Sequence, residues 1–195
     1  MDEVEALALM ERVCAAWAER SSAAVGAAPA GAASITIDPT LSALLAQSSA
    51  SSVKVRQLQR LWGGMGAVLE CQANFTGSVL SAELIVKWVA LPGGALSFGD
   101  QRKKFSYECE SRFFETLADE LRREAGCSVP AGLLVDRWGD GSINIVMSKL
   151  PGRSRSLGDA ELGAAIEFLA RMHGHTWGAA RADEIVARGL QQQGC

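Results

Sequence analysis

Lys87 stands in the middle of AELIVKWVA, a run that reads as a buried strand, with Leu84, Val86 and Trp88 on one side and Ile85, Lys87 and Val89 on the other. An ammonium among apolar neighbours needs an opposite charge. The helix-patterned segment that follows offers two carboxylates. Glu110 shares a stripe with Phe113, Phe114, Leu117 and Leu121, whereas Glu108 falls with Ser111, Arg112 and Glu115 on the polar side, where Glu108 and Arg112 are an i,i+4 pair. Lys87 and Glu110 are therefore expected to meet, either as a structural ion pair or as part of a phosphate-binding device. A third feature bears on that choice. In LWGGMGAVLE, Gly63, Gly64 and Gly66 sit where the chain turns back, and a glycine-rich turn lets backbone N–H groups approach phosphate oxygens.

Two nucleotide-binding arrangements do not fit. A dinucleotide-binding turn opens directly into a helix, but AVLECQANF reads as extended, and the Gly-Lys-Ser/Thr ending of a phosphate loop is absent. A glycine hairpin, a lysine on the third strand and a glutamate on the next helix match the ATP-binding lobe of protein kinases, in which the lysine holds the α- and β-phosphates and the glutamate fixes the lysine.

The elements that would position these residues follow from periodicity. Val4, Leu7, Met10, Cys14 and Trp17 recur at helical spacing. SSAAVGAAPAGAAS, after Arg20, reads as a linker, and PTLSALLAQ as a short second helix. Three strands are expected between Val53 and Ala90, then a helix from about Phe105 to Ala125 that stops at Gly126. VPAGLLVDRW and SINIVMSKL read as two more strands joined through GDG. PGRSRSLG is a loop, and Asp159 is expected to cap a helix through AELGAAIEFLARMHGHTW. The predicted organisation is a helix and linker over 1–50, an α+β lobe with an antiparallel sheet of about five strands and one packing helix over 51–152, and a linker, helix and tail over 153–195.

Two stretches carry a family resemblance. ECESRFFETLADEL resembles the E-x-x-F-[FY]-x-x-L-A segment of the aminoglycoside phosphotransferase and choline kinase-like superfamily, and AIEFLARMHGHTW resembles its L-A-x-x-H helix, especially in the ecdysteroid-kinase-like branch. INIVMSKLPGRSR lies between them where that family has its hinge strand, so the resemblance covers roughly residues 53–177. It implies that Gly63, Gly64 and Gly66 line a phosphate roof, that Lys87 and Glu110 form the lysine–glutamate pair, that the backbone around Met147, Ser148 and Lys149 receives the adenine of ATP, and that His173 is structural. It further implies transfer of the γ-phosphate to a small-molecule hydroxyl, with Mg2+ held by residues of a following lobe. The glycine spacing departs from G-x-G-x-x-G, since Leu69 takes the third glycine position counted from Gly64, and MSKL replaces the usual acidic hinge. The family's His-Gly-Asp loop, its asparagine and its later aspartate have no match after Trp177, so no catalytic residue or metal ligand is assigned in this chain. The expectation is the ATP-binding part of a phosphotransferase, as a fragment or truncated paralogue. The alternatives are a non-catalytic nucleotide-binding or interaction module, or an α+β domain in which the lysine–glutamate pair is only structural.

Bulk properties narrow the class. At 195 residues, 48% hydrophobic and 21% charged, the chain can bury a sizeable core, and a net charge of −3 gives no general attraction to nucleic acid. The acidic start MDEVEALALMERV argues against a secretory leader, no apolar run approaches a membrane span, and the five cysteines form no CxxC pair, so a cytoplasmic protein with reduced thiols is expected. HGH is a poor metal site, because residues two apart on a helix diverge by about 200°. The apolar face of residues 162–173 is expected to stand exposed and to promote association.

Overall fold

A computed structural model describes residues 1–25, 39–47, 49–91, 94–151 and 158–190. Two helices, α1 (Glu3–Val25) and α2 (Pro39–Gln47), precede three strands, β1 (Ala50–Arg60), β2 (Gly66–Phe75) and β3 (Ser81–Val89). Helices α3 (Phe98–Thr116) and α4 (Ala118–Arg123), strands β4 (Gly132–Arg137) and β5 (Ile143–Ser148), and helices α5 (Asp159–Thr176) and α6 (Ala179–Ala187) follow. The strands form one five-stranded sheet in the order β1-β2-β3-β5-β4, with every pair antiparallel. The expected α+β class and five-stranded antiparallel sheet are therefore present.

Strand alternation divides the sheet into two faces. Ala67, Leu69, Cys71, Ala73 and Phe75 from β2 and Ala82, Leu84 and Val86 from β3 point to one side, where Ala6, Leu9, Met10, Val13, Cys14 and Trp17 of α1 and Leu44 and Leu45 of α2 complete a sealed core. Val89, Ile143, Ile145 and Met147 point to the other, against Tyr107 of α3 and the turn residues Leu61 and Met65. β5 is buried on both faces, so INIVMS is apolar almost without interruption. Residues 1–50, read from sequence as a helix and linker ahead of the lobe, thus supply helices to the core of the sheet itself.

Several local expectations shift. The buried stripe of α1 begins at Ala6 rather than Val4, which is exposed. Asp2 and Glu5 form a reciprocal cap at its start, each side chain accepting the other's backbone N–H at 2.9 Å. α1 continues to Val25, five residues into the segment read as a linker, because alanine is a strong helix former; the rest of that segment lies outside the described residues. The helix expected from Phe105 starts at Phe98, where Ser97 accepts the Asp100 N–H, and breaks at Leu117 into α3 and α4. Gly126 takes a positive φ of 63°, as expected of a helix stop, and the Cys127 N–H donates to the Leu121 carbonyl. Asp159 is the first residue of α5 rather than its cap, and the Gly158 N–H is accepted by Glu161 at 3.1 Å. The PGRSRSLG loop lies mostly outside the described residues, as does Cys195. No helix among the described residues is long and apolar enough to cross a membrane.

Candidate functional site

Lys87 and Glu110 meet. The Lys87 Nζ donates to Glu110 Oε2 across the face of the sheet on which α3 packs. Register explains the placement: Lys87 lies opposite Val68 on β2 and Ile145 on β5, so it extends from the interior of the sheet rather than its edge. The pair is not sealed, for the lysine side chain retains 16% and the glutamate 33% of their full exposure. Tyr107, one turn before Glu110 on α3, puts its ring 4.9 Å from the ammonium, a cation–π distance. Burial, then the Glu110 charge, holds the Tyr107 hydroxyl above its ordinary pKa.

Glu108 takes no part. It pairs with Lys104 at 3.7 Å rather than with Arg112, which instead reaches Glu115 at 3.4 Å. Ser111, assigned from periodicity to the polar side of the helix, is fully buried. Its hydroxyl donates to the Glu108 carbonyl at 2.8 Å and accepts from Arg137 of β4 at 2.7 Å, while Arg137 also holds Glu115 at 2.6 Å. This clamp ties the middle of α3 to the sheet one residue beyond Glu110 and so fixes the height at which the glutamate faces Lys87. Helical periodicity sees only one helix at a time, and the arginine that buries Ser111 arrives from β4.

The glycine turn closes tightly between β1 and β2. The Leu61 N–H donates to the Gly66 carbonyl at 2.9 Å, and the Gly64 N–H donates to the Leu61 carbonyl at 3.1 Å. Gly63, Gly64 and Gly66 have φ values of 74°, 73° and 118°, all in the left-handed half of backbone space. Gly66 has a structural requirement of its own, since a Cβ there would collide with the Trp88 carbonyl oxygen of β3. A Cβ on Gly63 would lie 2.6 Å from the Lys103 Nζ of α3, while Gly64 faces open space. The turn thus stands over the first turns of α3, at the same end of the sheet as Lys87.

The three expected hinge positions close β5. Met147 is buried and lies opposite Ile85 and Gly132. The Ser148 N–H donates to the Ala131 carbonyl at 3.0 Å, and the Ser148 hydroxyl accepts the Ala131 N–H at 2.9 Å. Lys149 bridges Glu70 at 2.8 Å and Glu83 at 2.6 Å, and Arg56 holds Glu70 from β1. Hydrogen bonds from Lys149 and then Arg56 keep the Glu70 carboxyl below its ordinary pKa, and hydrogen bonds to Glu70 and then Glu83 raise that of Lys149. Between this network and Lys87, the half-buried Val68 and Ile85 supply apolar surface on the same face.

At the far end, Glu120, Glu124 and His175 lie close enough together to be considered as metal ligands. Glu120, however, already accepts from Arg181, from Arg188 at 2.7 Å and from His175 at 2.5 Å. Two guanidinium groups on one carboxylate make an ion-pair knot that repels a further cation. His173, expected from the resemblance to be structural, is exposed on α5, as are Leu162, Ile166 and Leu169, while Phe168 and Met172 of the same helix pack against the cluster of Leu117, Ala118 and Leu121. Compared with known proteins, the chain matches no family model, no curated protein and no solved structure.

Proposed function

We propose that this chain is the ATP-binding part of a kinase-like phosphotransferase whose acceptor is a hydroxyl on a small molecule. The observation that carries the reading is the Lys87–Glu110 pair, formed across the strand–helix interface beside the glycine turn, partly open to solvent, with Glu108 directed elsewhere. Partial exposure keeps Lys87 reachable, as a phosphate-holding lysine must be, whereas sealing the pair would add a desolvation cost and close that access. In this reading Lys87 contacts the α- and β-phosphate oxygens and Glu110 keeps the ammonium oriented, and the charge-assisted contacts strengthen in the partly dry site. Val68 and Ile85 offer the apolar surface for the base, beside the backbone of Met147, Ser148 and Lys149. Mg2+ would enter with the acidic residues of a following lobe, and none of the groups named here is assigned to it.

A second reading is a nucleotide-binding or interaction module that transfers no phosphate. The Lys87–Glu110 pair serves that reading equally, because holding a phosphate needs neither a catalytic base nor a metal clamp. Asp183, the aspartate nearest in order after the α5 helix, is exposed on α6. The phosphotransferase and the nucleotide-binding module both require nucleotide binding at Lys87, whereas an interaction module does not. ATP should raise the thermal midpoint of the wild-type protein, Lys87→Met should abolish the shift, and Glu108→Gln should leave it intact. Equal effects of the two variants would remove Glu110 as the functional partner.

A further inference from the structure

A second lysine stands under the glycine turn, at a position with no assigned role in the chemistry above. Lys103, in the second turn of α3, presses its ammonium against Gly63, so closely that a side chain on that glycine would occupy its space. The same ammonium lies 5.1 Å from the Trp62 ring and 3.0 Å from Asp100. Asp100 is in turn held by the Ser97 hydroxyl at 2.7 Å, and that hydrogen bond, followed by Lys103, keeps its carboxyl below its ordinary pKa. Lys103 is also linked to the first site through Tyr107: the ring contacts Lys87, and the Lys103 charge acts on the Tyr107 hydroxyl in opposition to Glu110. One ammonium thus lies over the Tyr107 ring and the other under the turn at Gly63, next to Gly64, which faces open space.

We infer that Lys103 is a second phosphate-contacting residue, which with Lys87 forms a two-lysine cradle for a polyphosphate chain beneath Gly63 and Gly64. The inference rests on the ATP-site reading and extends it: Lys87 takes the inner phosphates, and Lys103 takes the outer end of the chain. Asp100 is the counter-ion that the outer phosphate displaces. The neighbouring Lys104 points elsewhere, toward Glu108 and the Gly141 turn, and does not share this role.

The test is calorimetric titration of the full chain with inorganic tripolyphosphate, ATP and AMP. Lys103→Met should weaken tripolyphosphate and ATP about tenfold while changing AMP little, the loss expected for one charge-assisted contact. Lys104→Met removes the same charge one residue away and should have less than about a twofold effect, as befits a distant screened charge. Asp100→Asn, which frees Lys103, should tighten tripolyphosphate. If Lys103→Met and Lys104→Met act alike while Lys87→Met abolishes ATP binding, the role of Lys103 is overturned and the ATP site stands. Lys103-dependent tripolyphosphate binding without any ATP binding would support the cradle and remove the adenine-nucleotide reading. Failure of the wild-type protein to bind either ligand would overturn both.

Discussion

Toward α1 and α2 the sheet presents Leu69, Cys71, Ala73, Leu84 and Val86, all sealed from solvent. Toward α3 the same two strands present Val68, Glu70, Ile85 and Lys87, none of them fully buried. Between these two strands and α1 the first face carries no charge, its ion pair of Arg12 with Asp136 lying on β4 at 3.1 Å, and burial, then the neighbouring Glu70, pushes the Cys71 thiol up to about 11, leaving it protonated and inert at neutral pH. The second face is crossed by ion pairs, with Arg56, Glu70, Lys149 and Glu83 at one end and Lys87, Glu110, Asp100 and Lys103 at the other. Strands of period two can be built for stability on one side and for chemistry on the other, and only the second side needs access.

Substitutions that break this division should differ most in stability. Leu84→Ala removes a fully buried side chain from the closed face and should cost about 2–5 kcal/mol in denaturant unfolding, while any ATP affinity of the folded protein is retained. Gly66→Ala should cost about 1–3 kcal/mol, because its φ of 118° disfavours any side chain and the Trp88 carbonyl occupies the space. Lys87→Met, on the open face, should cost only about 1 kcal/mol because the pair is partly solvated, yet remove the whole ATP-induced shift. A loss of stability as large as that of Leu84→Ala would mark Lys87 as a structural residue. Glu70→Gln should have the smallest effect and a pH signature. The lowered Glu70 pKa stabilises the fold above its ordinary value of 4.5, and that contribution is lost as pH falls through the lowered value. The variant should therefore melt below wild type at neutral pH and converge with it in acid.

Much of this was legible in the chain. The order of strands and helices, the span of α2, and the meeting of Lys87 with Glu110 rather than Glu108 all follow from periods of two and 3.6. The features that escaped are those decided by a second element. Ser111 reads as polar surface on α3, and only Arg137 of β4 accounts for its burial. Tyr107 reads as one more aromatic on a helix, and Lys103 as one of three consecutive basic residues, until the turn at Gly63 and the strand at Lys87 come alongside them. The early start of α3 did leave a signal, Ser97 three residues before Asp100, but Gly99 between them weakens a helical reading. The exposed apolar face of α5 follows the expected period, while Phe168 and Met172, between its ridges, do the packing.

The most direct test of the open face is covalent labelling with an acyl-phosphate derivative of ATP, which acylates lysines held against the phosphates, followed by mass-spectrometric mapping. Lys87 has the least exposed side chain among the lysines that form ion pairs here, so labelling governed by access alone would favour Lys104 and Lys149 over it. The account predicts that Lys87 is labelled preferentially, with Lys103 next, and that excess ATP blocks both while leaving Lys104 and Lys149 unaffected. Labelling that follows exposure and is insensitive to ATP would contradict it.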